Sequence, residues 1–168
     1  MAPFLEVRRL AARTSDQIRR LHVHAVEVTE PRSPVQESAE IRELAACYGA
    51  AWAKRDLDAI MAMHTEDTIF HMHGGGEAAI GSAATRAAFA AGIAQYPDIR
   101  FERKRVHIGE SHFVSEYELS ATMDGRRIVC DGVDIFAVED GLVARKDTYL
   151  DWPVIEQQLA LQAGPTPA

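Results

Sequence analysis

The chain has 168 residues, 47% of them hydrophobic and 26% charged, with 18 Lys and Arg against 25 Asp and Glu and a formal charge of −7. That is the length of one ordinary domain with enough apolar material for its own core, which excludes a disordered or fibrous chain. The acidic balance argues against a nucleic-acid surface, Cys47 and Cys130 are too few for a disulfide scaffold or an all-cysteine zinc site, and no apolar run reaches the ~18 residues of a membrane span.

Residues 1–37 read as an N-terminal extension. The start lacks the apolar stretch of a secretory signal, Leu21 to Val28 alternates like a strand and carries a His22-x-His24 pair, and Pro31, Ser33 and Pro34 mark a boundary. The expected setting is therefore cytoplasmic, with neither membrane nor nucleic acid as partner. A domain is expected over 38–162, with a short tail after it.

Ser38 can cap a helix to about Lys54, whose apolar stripe is Ile41, Leu44, Ala45, Tyr48 and Trp52. Asp56 can cap a second, short helix from Leu57 to His64, and Thr65-Glu66-Asp67 reads as a turn. Thr68 to His73 reads as a strand, Gly74-Gly75-Gly76 as a loop, and Ser82 can cap a third helix from Ala83 to Ile93. Four strand-length stretches follow: Arg100–Ile108, His112–Met123, Arg127–Val138 and Leu142–Leu150. Asp124-Gly125 and Asp140-Gly141 are hairpin turn signals. Asp151 and Pro153 suit the start of a closing helix to about Leu161. Helices segregated from an antiparallel meander make the fold class α+β.

Several side chains carry chemistry. In the strand Ile128 to Phe136, Gly132, Asp134 and Phe136 share one face and Asp131, Val133 and Ile135 the other, so one of two aspartates must face the interior. His71 and His73 share a face of the first strand, and an imidazole titrates where general acid–base work needs it. His71-x-His73-x3-Glu77 also has a metal-ligand spacing, the first half of a cupin-like motif whose glycines and later histidine are missing. The run Arg103-Lys104-Arg105 reads as a solvated sheet face.

Five strings carry a family likeness: Tyr48-Gly-Ala-Ala-Trp52-Ala-Lys-Arg-Asp56-Leu57-Asp58-Ala-Ile60, Glu66-Asp67-Thr-Ile-Phe70-His71, Gly125 to Phe136, Asp140-Gly141 and Tyr149-Leu150-Asp151. Over about residues 38–157 the chain resembles the nuclear transport factor 2-like superfamily, which includes SnoaL-like polyketide cyclases and ketosteroid isomerases. The resemblance implies a cone-shaped curved sheet wrapped around helices, an apolar cavity and a homodimer. It implies that Tyr48 donates a hydrogen bond to a substrate carbonyl and that a protonated Asp134 donates the second. The family's aspartate base falls on Met72, so His71 or His73 would have to replace it. The epoxide hydrolase pattern within the superfamily fits worse, placing Phe70, Met72 and Thr148 where its tyrosine, asparagine and aspartate belong.

These readings give a cofactor-independent, metal-free acid–base enzyme acting on a small apolar carbonyl compound. Its catalytic residues would be Tyr48, Asp134, His71 and His73, with Trp52, Phe70, Met72, Tyr117, Phe136 and Leu150 as cavity walls. Isomerisation, dehydration and cyclisation share the enolate such a site would stabilise. Two alternatives stand beside it: a ligand-binding dimeric module without catalysis, and a metal enzyme through His71, His73 and Glu77.

Overall fold

The structure is a computed structural model that describes residues 38–161. The expectations placed on residues 1–37, including His22 and His24, and on the tail lie outside the described residues. The elements in chain order are α1 (Ala39–Lys54), α2 (Leu57–Met61), β1 (His64–Met72), β2 (Ala79–Ile80), α3 (Ser82–Gln95), β3 (Arg100–Ile108), β4 (His112–Met123), β5 (Arg126–Glu139), β6 (Leu142–Leu150) and α4 (Trp152–Leu161).

Local chemistry explains the helix ends. Ser38 Oγ accepts from the Ile41 amide at 3.3 Å, which satisfies one of the free N–H groups that open α1. The helix buries Ile41, Ala45, Tyr48 and Ala51 and stops where Arg55 takes a left-handed conformation at φ 55°. Asp56 caps α2 through the Ala59 amide at 3.0 Å, and Asp151 caps α4 through Val154 at 3.2 Å. For α3 the expected serine cap is absent: Gly81, at φ 87°, holds the cap position and Ser82 is the first helical residue.

The six strands form one sheet in the order β2-β1-β6-β5-β4-β3. It follows the helices as expected, but it is mixed: β1 runs parallel to β6 while the other four pairings are antiparallel. The parallel pair arises because the chain leaves β1 through β2 and α3, crosses to the far edge at β3, and returns by hairpins to lay β6 beside β1. Both predicted hairpin turns form, with φ of 51° and 74° at Asp124-Gly125 and 50° and 79° at Asp140-Gly141. Positive φ at both central residues is what a tight right-twisted hairpin demands.

Strand β1 begins earlier than its sequence suggests. His64 to Asp67 was expected to end a helix and turn, yet it is extended. His64 pairs with Val143 of β6, and the Val143 amide donates to the Met63 carbonyl at 2.8 Å. Pairing with a strand some eighty residues away overrides the local helical tendency. The core has two parts. One packs α1, α2 and α3 on Phe113, Phe136, Val138 and Val143, and the other packs Ile155 of α4 on Tyr117, Leu119, Ala121, Ile128 and Cys130.

Candidate active site

A cavity of about 1240 Å³ opens between the helices and the concave face of the sheet. Every expected wall residue lines it: Trp52, Phe70, Met72, Tyr117, Phe136 and Leu150. So do Tyr48 and Asp134. The aromatic walls pack edge to face, with Phe89 against both Trp52 (5.1 Å between centroids) and Phe70 (4.8 Å), and Phe113 stacks on Phe136 at 4.0 Å.

His71 and His73 do not line the cavity. From Ile69 to Met72 the pairing with Arg145 to Thr148 is continuous, so strict alternation sends Phe70 and Met72 inward and His71 outward. His73, two residues on, lies beside His71, with ring centroids 3.9 Å apart. Only a bulge would have turned an imidazole inward, and β1 has none there. The role expected of these histidines as base is therefore not served by their position. Glu77 lines the cavity instead of joining them, and the carboxylate nearest the pair is Asp147.

The polar floor of the cavity is built around Asp134. Its Oδ1 accepts from Tyr117 Oη at 3.0 Å and Thr148 Oγ1 at 2.7 Å, and its Oδ2 meets Lys146 Nζ at 2.9 Å. Lys146 also donates to Thr148 Oγ1 at 2.5 Å and lies over the rings of Phe70 (5.2 Å) and Phe136 (5.5 Å). Asp134 is only 8% exposed and Lys146 5%. Three donors, Tyr117 Oη, Thr148 Oγ1 and Lys146 Nζ, converge on the carboxyl. The resemblance implied a protonated, hydrogen-bond-donating Asp134; here the carboxyl accepts from two hydroxyls and sits beside the Lys146 ammonium, contacts that suit an acceptor rather than a donor. Burial pushes the Tyr117 hydroxyl far above its usual range, and the Asp134 charge adds to the effect.

Lys146 was missed from sequence, although the signal was there. Residues 146, 148 and 150 alternate on one face, and Leu150 was already an expected wall. A shift of register between Ala137 and Val138 lets Val143 and Lys146 both face inward. A second bulge, at Lys104, separates Arg103 from Arg105 in their pairing with Tyr117 and Glu116. It leaves Arg103 on the cavity side, its guanidinium over Gly49, where a Cβ would stand 2.0 Å from Nη2. All three residues are exposed as expected, but Lys104 and Arg105 pair with Asp131 and Glu116 while Arg103 lies at the cavity.

Tyr48 is wired to a chain that the sequence did not reveal. Its hydroxyl is 3.1 Å from His64 Nε2, His64 Nδ1 is 2.9 Å from Thr68 Oγ1, and Thr68 donates to the Val143 carbonyl at 3.1 Å. Thr68 has one hydrogen and gives it to a carbonyl, so it accepts from His64 Nδ1–H, and the bare Nε2 accepts from Tyr48. Tyr48 therefore presents lone pairs to the cavity, and becomes a donor there only if His64 changes tautomer. Burial pushes the Tyr48 hydroxyl well above its ordinary range, with the Trp52 indole N–H opposing and the Asp134 charge reinforcing.

Burial, with a smaller contribution from the Lys146 charge, lowers His64 from 6.5 to about 4. The folded state resists protonating this imidazole while the unfolded chain takes the proton near pH 6.5. The fold is therefore undiminished above that value and loses stability as pH falls toward 4, by roughly 3 kcal/mol in all. Urea midpoints measured at pH 7 and pH 4.5 should show this loss, and His64→Gln should remove much of the pH dependence.

Residues 44–146 match the SnoaL-like domain. The chain belongs to this family. Its fold is shared by solved structures of low identity, which show architecture alone. One is a candidate SnoaL-like polyketide cyclase from Jannaschia sp. CCS1 (18% identity, TM-score 0.66, covering 82% of this chain and 99% of that one). A second, from Shewanella putrefaciens CN-32, is 15% identical with a TM-score of 0.66, covering 75% and 100%. A third is a hypothetical protein with a ketosteroid isomerase-like fold from Catenulispora acidiphila, in complex with trimethylamine (16% identity, TM-score 0.64, covering 74% and 98%). No curated protein matches the chain. This SnoaL-like domain has the α+β cone fold, and its cavity holds a Lys–Asp pair. No helix among the described residues is long and apolar enough to cross a membrane.

Proposed function

We propose that the cavity is a cofactor-independent acid–base site for a small, largely apolar carbonyl compound, of the enolate-forming kind used by isomerases and polyketide cyclases. The observation that carries this reading is the Lys146–Asp134 pair, buried among aromatic rings with hydroxyls of Tyr117 and Thr148 on the carboxylate. A buried ion pair is weak evidence for stability, because hydrophobic residues of similar volume often stabilise a core as well or better. A pair that lines a cavity is more readily explained by the charges it offers to a ligand.

The chemistry follows from the donors. The Asp134 carboxylate takes a proton from the carbon next to the carbonyl, and the electron pair moves to the carbonyl oxygen. Lys146 uses two of its three N–H groups on Asp134 and Thr148, leaving a third for the enolate oxygen. Asp134 then returns the proton to the same or a conjugated carbon, which restores the enzyme and balances the reaction. The Tyr48–His64–Thr68 chain accounts for a hydroxyl that accepts from a substrate group, or donates to it after a tautomer exchange.

Deuterium wash-in tests this without knowledge of the natural substrate. A panel of cyclic enones in heavy water, followed by proton NMR, should show exchange beside the carbonyl above the solvent rate. Lys146→Met should lower that rate by about 10²–10³-fold, the cost of one oxyanion donor. Binding of a naphthol without any exchange across the panel would favour the ligand-binding module instead.

A further inference from the structure

On the face of the sheet opposite the cavity, we infer that His71, His73 and Asp147 form a binding site for one divalent transition-metal ion of the zinc class. His71 on β1 pairs with Asp147 on the parallel strand β6, and His73, one residue past the end of β1, places its ring 3.9 Å from that of His71. One ligand atom from each lies within 4.8 Å of the others. Glu77, the third ligand that spacing alone suggested, is turned to the cavity.

The hydrogen bond of His71 and the carboxylate facing its other nitrogen point to a cation. His71 Nε2 is 3.2 Å from the Gly76 carbonyl. A carbonyl only accepts, so Nε2 carries the hydrogen and Nδ1 of the neutral ring is bare. That bare nitrogen faces Asp147 Oδ1 at 4.0 Å, so two lone-pair groups are turned toward one another. A ring N–H anchored on a backbone carbonyl, with the other nitrogen free, is the arrangement that prepares a histidine to ligate a metal. His73 adds Nε2 at 2.9 Å from the same oxygen, and its ring is held by stacking on Tyr149 at 4.0 Å and 7°.

The distances suit a small ion. Metal–ligand bonds of about 2.0–2.2 Å place ligand atoms roughly 3.0–3.5 Å apart, between the two separations found here. Rotation of the His71 side chain, 26% exposed, closes the longer one. On binding, His73 passes its Nε2 hydrogen to Nδ1. Arg145 holds Asp147 from the far side, at 2.6 Å on Oδ2 and 2.8 Å on Oδ1, and fixes the carboxylate as a monodentate ligand. Two imidazoles and one carboxylate leave positions open for water, and suit zinc, cobalt or nickel better than magnesium or calcium.

The test is titration of the full chain, freed of metal with a chelator, by Zn²⁺ in a calorimeter and by Co²⁺ in the visible spectrum. One equivalent of Zn²⁺ should bind saturably and raise the thermal midpoint. His71→Ala should weaken binding at least about tenfold and abolish the thermal shift. His107→Ala, which alters a histidine paired with Glu116 on another strand, should change neither. Asp147→Asn, checked for folding by circular dichroism, should weaken binding too. Absence of saturable binding, or binding unaltered by His71→Ala, overturns the inference.

Discussion

Asp134→Asn is expected to abolish α-proton exchange and to lower stability by about 3–5 kcal/mol, the cost of stranding a buried charge. The two losses have different origins. Asparagine is the same size, but it cannot take a proton, so the exchange rate should fall to that of solvent on any enone the wild type processes. The stability loss comes from Lys146, which is 5% exposed and left facing an amide instead of a carboxylate. The double variant Asp134→Asn with Lys146→Met separates them. Removing both charges should restore most of the stability, because the unpaired ammonium is gone, while exchange stays at the solvent rate. Urea denaturation and deuterium wash-in on the same three proteins check both. A double variant as unstable as Asp134→Asn would show that packing of the carboxyl, not its charge, is what the core requires.

The largest packing effect is expected from Phe136→Ala, at roughly 3–5 kcal/mol of stability. Phe136 is 2% exposed, stacks on Phe113 at 4.0 Å, meets Tyr48 edge to face at 5.0 Å and lies under the Lys146 ammonium at 5.5 Å. Its removal joins a new void to the cavity and takes away one of the two rings beneath the cation. Phe136→Leu keeps most of the volume and should cost about half as much or less. Both variants should also reduce exchange, since Lys146 and Tyr48 lose the surface that positions them. Chemical denaturation gives the stability, and an unchanged midpoint in Phe136→Ala would mean the neighbours collapse into the space.

Much of the architecture was legible from local signals. Ser38, Asp56 and Asp151 cap helices by bonding amides three residues on, and Asp-Gly at 124–125 and 140–141 takes the positive φ that such turns require. These depend on near neighbours, so the chain alone reveals them. Period-two alternation required that one of Asp131 and Asp134 face inward and the family resemblance chose Asp134, while the same rule applied to Leu150 leads back through Thr148 to Lys146. The bulges at Lys104 and near Ala144 were invisible, since they arise from how one strand's pairing fits another's.

The histidines show the division most clearly. Composition and spacing drew attention to His71 and His73, and their period was right, but which face of β1 looks into the cone depends on pairing with β6. His64, expected at a helix end, is buried beneath Tyr48 because the first strand extends to meet Val143. The amino-acid sequence by itself determined most of the elements, the two hairpin turns, the apolar walls and the presence of an inward carboxylate, all of which follow from periodicity and capping within a few residues. Only the tertiary structure decided that the carboxylate is paired with Lys146, that Tyr48 is bonded to His64, and that the His71–His73 pair joins Asp147 outside the cavity. Each of those joins residues 12 to 76 positions apart, and no local pattern encodes which of them the sheet will bring within 4 Å.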